Sequence, residues 1–103
     1  MAFRKVAKVK HVASGEMIGV DFGNSRVAIA NIDGEYYAFE AECTHSAGWL
    51  YEGMIEGFNV QCPVHGAEFD VRTGEVKEAP ATQGLRIFRV RAEGDDLELE
   101  EPD

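Results

Sequence analysis

Along the chain, short runs of alternating or β-branched apolar residues are cut by turn residues, and no segment carries a convincing helical pattern. Phe3–Val9 and Glu16–Phe22 read as strands, and Gly23-Asn24 turns the chain into a third, Arg26–Ile32, rich in Val, Ile and Ala. Asp33-Gly34 is the strongest hairpin signal, because a type I′ turn needs positive φ at both central positions. It leads into Glu35–Glu40, where Tyr36, Tyr37 and Phe39 suit a pleated sheet. Shorter strands are predicted around Met54-Ile55, Phe58–Gln61, Glu68–Val71 and Glu75–Lys77, with a loop from Pro80 to Gly84. Leu85–Ala92 and Leu97–Glu100, joined across Glu93 to Asp96, close the series. Met54, Ile55, Phe58, Phe69, Leu85, Ile87 and Phe88 are read as core. Many short strands at regular turn signals predict an all-β sandwich or barrel.

The 103 residues suffice for one domain, 1–103, with one modest core and no room for a separate cofactor domain. Nothing is long and apolar enough to span a bilayer. Met1 to Lys10 alternates like a first strand and not like a charged-then-apolar leader. The expected compartment is therefore the cytoplasm, with no membrane partner.

Net charge is −9, and its distribution says more than its sum. From Val27 to Val71 there is no lysine or arginine, while Asp33, Glu35, Glu40, Glu42, Glu52, Glu56, Glu68 and Asp70 all fall there. A solvated acidic surface explains most such runs; it would also steer this face toward basic partner surfaces. Nucleic-acid binding is disfavoured, since the stripe of phosphate-neutralising cations is missing.

That acidic stretch contains Cys43, His45, Cys62 and His65, arranged as C-x-H, sixteen intervening residues, then C-x-x-H. They use both cysteines of the protein and two of its three histidines. Two thiolates and two imidazoles suit an iron–sulfur cluster or zinc. Each short segment pairs one sulfur with one nitrogen, so two loops could each reach both irons of a [2Fe–2S] rhomb. A structural zinc site is the rival, although its usual C-x₂₋₄-C and H-x₃₋₅-H grammar pairs like ligands. A cysteine nucleophile with a histidine base ranks far lower, because no third orienting group stands at a recognisable position. A disulfide between the cysteines is the secreted-protein reading. His11 has no partner motif and reads as a surface residue. Trp49 could shield a cluster, touch a partner or pack the loops, whereas Tyr51 reads as packing. No G-x-G-x-x-G or P-loop appears, so neither a dinucleotide nor ATP is expected.

Cys43-Thr44-His45 and Cys62-Pro63-Val64-His65-Gly66 resemble the two boxes of the Rieske family. Gly66 to Gly74 is similar to that family's continuation H-G-x-x-F-D-x-x-T-G, and Pro80 sits where the family places a proline-containing loop. The resemblance covers roughly residues 40 to 90. It implies three antiparallel sheets, with a cluster-binding subdomain of two loops at about 41–67. It also implies one [2Fe–2S] cluster, with Cys43 and Cys62 on the inner iron and His45 and His65 on the outer one. Gly48 and Val64 stand where the quinol-oxidase branch of the family carries a disulfide between the loops, and Ala67 stands where that branch has a serine.

By that resemblance the chain would be a soluble one-electron carrier and not itself an enzyme. It would pass electrons from a flavin-dependent ferredoxin reductase to a terminal oxygenase of the ring-hydroxylating dioxygenase type. Docking would be transient, on basic partner surfaces, and the carrier a monomer. The alternatives are a small subunit held permanently in a larger enzyme such as nitrite reductase, and a zinc-stabilised binding module. Few donors toward the cluster sulfurs and many nearby carboxylates both disfavour the reduced, more negative state. The midpoint should therefore lie near the low end of the Rieske range, on the order of −150 mV. A redox titration giving a value well above zero would contradict this.

Overall fold

The computed structural model describes residues 2–43, 48–64, 66–78 and 83–101. Its strands are β1 (Phe3–Lys8), β2 (Met17–Phe22), β3 (Ser25–Ile32), β4 (Glu35–Glu40), β5 (Met54–Glu56) and β6 (Asn59–Gln61). They continue with β7 (Glu68–Asp70), β8 (Val76–Glu78), β9 (Ile87–Phe88), β10 (Val90–Glu93) and β11 (Asp96–Glu100). These form three antiparallel sheets, in the orders β1-β11-β10, β2-β3-β4-β9 and β5-β6-β7-β8. The only helical pieces among the described residues are two 3₁₀ turns, Val9–His11 and Leu50–Glu52.

The sheet containing β3 lies between the other two, and the side-chain period of 2 divides its residues between two apolar layers. Val27 and Ile29 of β3 and Ala38 of β4 pack with Val12, Phe22, Leu97 and Leu99, toward the first sheet. Ala28 and Ala30 of β3 and Phe39 of β4 pack with Val60, Phe69, Leu50, Cys43 and Cys62, toward the third. The single modest core expected from chain length is thus two layers, with β3 buried on both faces. The hairpin at Asp33-Gly34 forms as expected, with φ of 55° and 89°. The Gly34 N–H donates to the Asn31 side chain at 2.8 Å, and the Asn31 amide group donates to the Val12 carbonyl at 2.9 Å.

Two expectations fail for physical reasons. Leu85–Ala92 is not one strand, because the chain changes sheets at Arg89. Ile87-Phe88 pairs with β4, while the Arg89 carbonyl already accepts from Glu100 in the first sheet at 3.0 Å. Met54, Phe58 and Ile87 are not core, being 66%, 38% and 37% exposed. Met54 and Ile87 lie on edge strands, and Phe58 caps the β5–β6 turn with the Arg72 guanidinium 4.1 Å over its ring. Pro80 lies outside the described residues.

The turn after β7 depends on Asp70, a buried carboxylate. It accepts from the Arg72 backbone N–H at 2.8 Å and from the guanidinium at 3.1 and 2.8 Å. Those guanidinium bonds hold the Asp70 carboxyl below its ordinary value, against burial, which pushes it up. A depressed folded-state value stabilises the fold above the ordinary carboxylate range, and that stability is lost as pH falls through the folded value. Asp70→Asn should therefore cost about 1–3 kcal/mol near neutral pH. The gap to the parent protein should hold above about pH 5 and narrow below about 3.9. Paired urea melts across pH check this; a gap independent of pH would refute it.

Candidate metal centre

Each cysteine stands at the mouth of a loop that its own backbone closes. After β4 the Leu50 N–H donates to the Ala41 carbonyl at 2.7 Å, Glu42 bridges Trp49, and the Cys43 N–H donates to the Gly48 carbonyl at 2.9 Å. After β6 the Cys62 N–H donates to the Ala67 carbonyl at 2.8 Å, and the Gly66 N–H returns to the Cys62 carbonyl at 3.1 Å. In both loops the cysteine N–H thus reaches the carbonyl five positions on. His45 and His65, the remaining candidates, fall in sequence between these anchor points and lie outside the described residues.

Cys43 and Cys62 are 3% and 1% exposed, share one apolar layer, and form no disulfide. Ala28, Ala30, Ala41 and Ala67 line the same layer. The two buried sulfurs are donors that suit a soft thiolate-bound metal cluster, and the small residues around them leave space beside the sulfurs. Among the described residues no group of three or more His, Cys, Asp and Glu side chains gathers elsewhere to hold a metal. The two loops touch at Gly48 and Val64. A Cβ built on Gly48 would lie 2.5 Å from Val64 Cγ2, 3.5 Å from its Cβ and 3.3 Å from Cys62 Sγ. Gly66, at φ +76°, has a further reason to be glycine, since the second loop turns there through the left-handed region.

Tyr51 packs as expected, its ring lying where a Cβ on Gly19 would stand. Trp49 stacks on Tyr51 at 5.9 Å between ring centroids. The sequence reading overlooked Arg26, just outside the cation-free stretch. Its guanidinium stands 5.3 Å over Trp49, donates to the Tyr51 hydroxyl at 2.9 Å and pairs with Asp21 at 3.0 Å. The signal lay in the β2–β3 register, which sets Asp21 opposite Arg26. Both aromatics therefore brace the first loop against the middle sheet. His11 is exposed, and its Nδ1 accepts from the Lys8 N–H at 3.3 Å, a local turn contact. Glu42, Glu52 and Glu56 are exposed, and no ion pair among the described residues includes them.

The family model described as the Rieske [2Fe-2S] domain matches residues 2–89. The biphenyl dioxygenase ferredoxin subunit of Pseudomonas sp. (strain KKS102) is 40% identical over 98 residues, covering 94% of this chain and 90% of the relative. The Sphingomonas yanoikuyae B1 ferredoxin superposes with a TM-score of 0.91 at 28% identity, covering 98% of this chain and all of that one. The structure of the complex of reduced oxygenase and oxidised ferredoxin in carbazole 1,9a-dioxygenase matches with a TM-score of 0.88 at 30% identity, over 94% of this chain and 91% of that one. No helix among the described residues is long and apolar enough to cross a membrane. Matched through both loops and over most of its length, the chain belongs to the Rieske [2Fe-2S] domain family.

Proposed function

We propose that Cys43, His45, Cys62 and His65 hold one [2Fe–2S] cluster between the two loops, and that the chain is the one-electron carrier of a ring-hydroxylating dioxygenase system. The observation that carries this reading is the pair of buried cysteines, each at the base of a loop closed in the same way and each followed by a histidine within that loop. When bound, the cluster takes up and gives back a single electron. The chain's own residues keep water from the sulfurs and fix the loops. Leu50, Ala41 and Ala67 are fully buried around Cys43 and Cys62, while Val64 is 51% exposed beside them. The reactive side chains are all taken as ligands, so chemistry on a substrate belongs to another protein.

The partners proposed are a flavin-dependent ferredoxin reductase as donor and a terminal oxygenase as acceptor, each engaged transiently by a monomer. The ferredoxin–oxygenase complex of the carbazole system supports direct docking of this kind. Glu42, Glu52 and Glu56, exposed and in no ion pair among the described residues, support basic partner surfaces. The whole chain acts as one domain with residues 41–67 as its cluster-binding part. Its place is the cytoplasm, a reading compatible with its likeness to ferredoxin components.

EPR of the dithionite-reduced protein, with iron and labile sulfide assayed on the same sample, tests the ligand set. A rhombic signal of mixed His/Cys ligation should appear, and should vanish in His45→Ala, His65→Ala, Cys43→Ser and Cys62→Ser but survive His11→Ala. A silent protein carrying zinc would instead make it a structural module.

The contact between the loops carries its own expectation. The 3.5 Å between a Cβ on Gly48 and that of Val64 meets disulfide geometry. Gly48→Cys with Val64→Cys should therefore close into a disulfide in air. Thiol labelling of the denatured protein before and after reduction reads this, and two added cysteines that label without reduction would refute it.

A further inference from the structure

Residues 48–53 join the first cysteine loop to β5 and touch the second loop at both of their ends. At the start, Gly48 meets Val64 and Cys62 as described. At the end, a Cβ on Gly53 would overlap the Gln61 carbonyl oxygen and stand 3.2 Å from Pro63 Cδ. Gly53 has φ −87° and ψ −148°, outside the helical and extended regions, so its backbone conformation and the space around it both favour glycine. The Cα hydrogen in place of a side chain points at that carbonyl, a close backbone contact of the Cα–H···O type. Gln61 and Pro63 flank Cys62, so the two glycines bracket the second cysteine. Between them the segment is well anchored. Leu50 is fully buried, and the Gly53 N–H donates to the Leu50 carbonyl at 2.9 Å. Tyr51 rests on Gly19.

We propose that residues 48–53 are a spacer that sets how closely the two cysteine loops approach, with Gly48 and Gly53 as positioning residues for the cluster. This rests on the ligand reading given above. The two contacts differ in kind. At Gly48 the obstacle is the end of a side chain, which can rotate or be trimmed. At Gly53 it is backbone oxygen, so an added methyl displaces the Gln61–Pro63 backbone and carries Cys62 with it. Residues that orient metal ligands tune retention and potential, so both should respond.

The test uses holoprotein of Gly53→Ala, Gly48→Ala and Gly48→Ala with Val64→Ala. Gly57→Ala is the control, since Gly57 lies in the β5–β6 turn at φ +60° with open space around it and destabilises through strain alone. Midpoint potential, reduced-state g values, iron release to a chelator and Tm are read on each. Gly53→Ala should shift the potential and g values and release iron about 10- to 100-fold faster, whereas Gly57→Ala should lower only Tm. A Gly53→Ala protein with lowered Tm but parental potential, g values and iron release would overturn the proposal. If Gly53→Ala yields no holoprotein, Gly48→Ala decides. A shift largely reversed by Val64→Ala upholds the spacer, and no shift, or one that persists, overturns it. Absence of a cluster signal in the parent protein would count against the ligand reading and not against the spacer.

Discussion

Two apolar layers share one sheet, and nearly everything about the site follows from how β3 divides its side chains between them. Val27 and Ile29 fill the layer toward the first sheet, which needs bulk because β1, β10 and β11 supply mostly charged residues outward. Ala28 and Ala30 face the other way and leave volume under the third sheet, where Phe39, Phe69 and both cysteines lie. A register slip of one residue would exchange these faces. It would fill the space beneath the cysteines with Val and Ile and open gaps in the opposite layer. The site is thus specified by an alternation of large and small side chains on a strand that touches neither candidate loop ligand in sequence.

Much of this was legible in advance. The Asp33-Gly34 turn, the strands flanking it and the two cysteine boxes were readable because each depends on local chemistry: positive φ, aromatic β propensity, ligand spacing. What stayed hidden depends on contacts distant in sequence. Arg89 gives no sign that the chain changes sheets there, since its carbonyl is claimed by Glu100 only once β11 is in place. Met54, Phe58 and Ile87 read as core by hydrophobicity, but edge position and a turn leave them exposed. Exposed apolar residues scattered singly are ordinary on a protein surface. Arg26 was overlooked for the opposite reason, because its role with Trp49 and Tyr51 exists only in the folded register.

Of the four proposed ligands, His45 and His65 are placed by sequence alone, whereas Cys43 and Cys62 are also seen buried in one apolar layer. The two pairs are not independent. Each cysteine N–H closes its loop onto the carbonyl five positions on, and each histidine lies inside that span. Closing each loop at its base fixes where the chain leaves and rejoins the scaffold on either side of the histidine position. The quinol-oxidase branch, by resemblance, ties the two loops together covalently. Here a glycine against a valine does that work by contact. Contact holds only if both backbones are independently placed, which gives the segment between Gly48 and Gly53 its importance. A covalent tie tolerates some freedom in its surroundings; a van der Waals contact does not, because dispersion attraction falls off within an ångström of optimal separation. A carrier built this way must keep its loop spacing through backbone packing, and the absence of a side chain at Gly53 is the narrowest point in that packing.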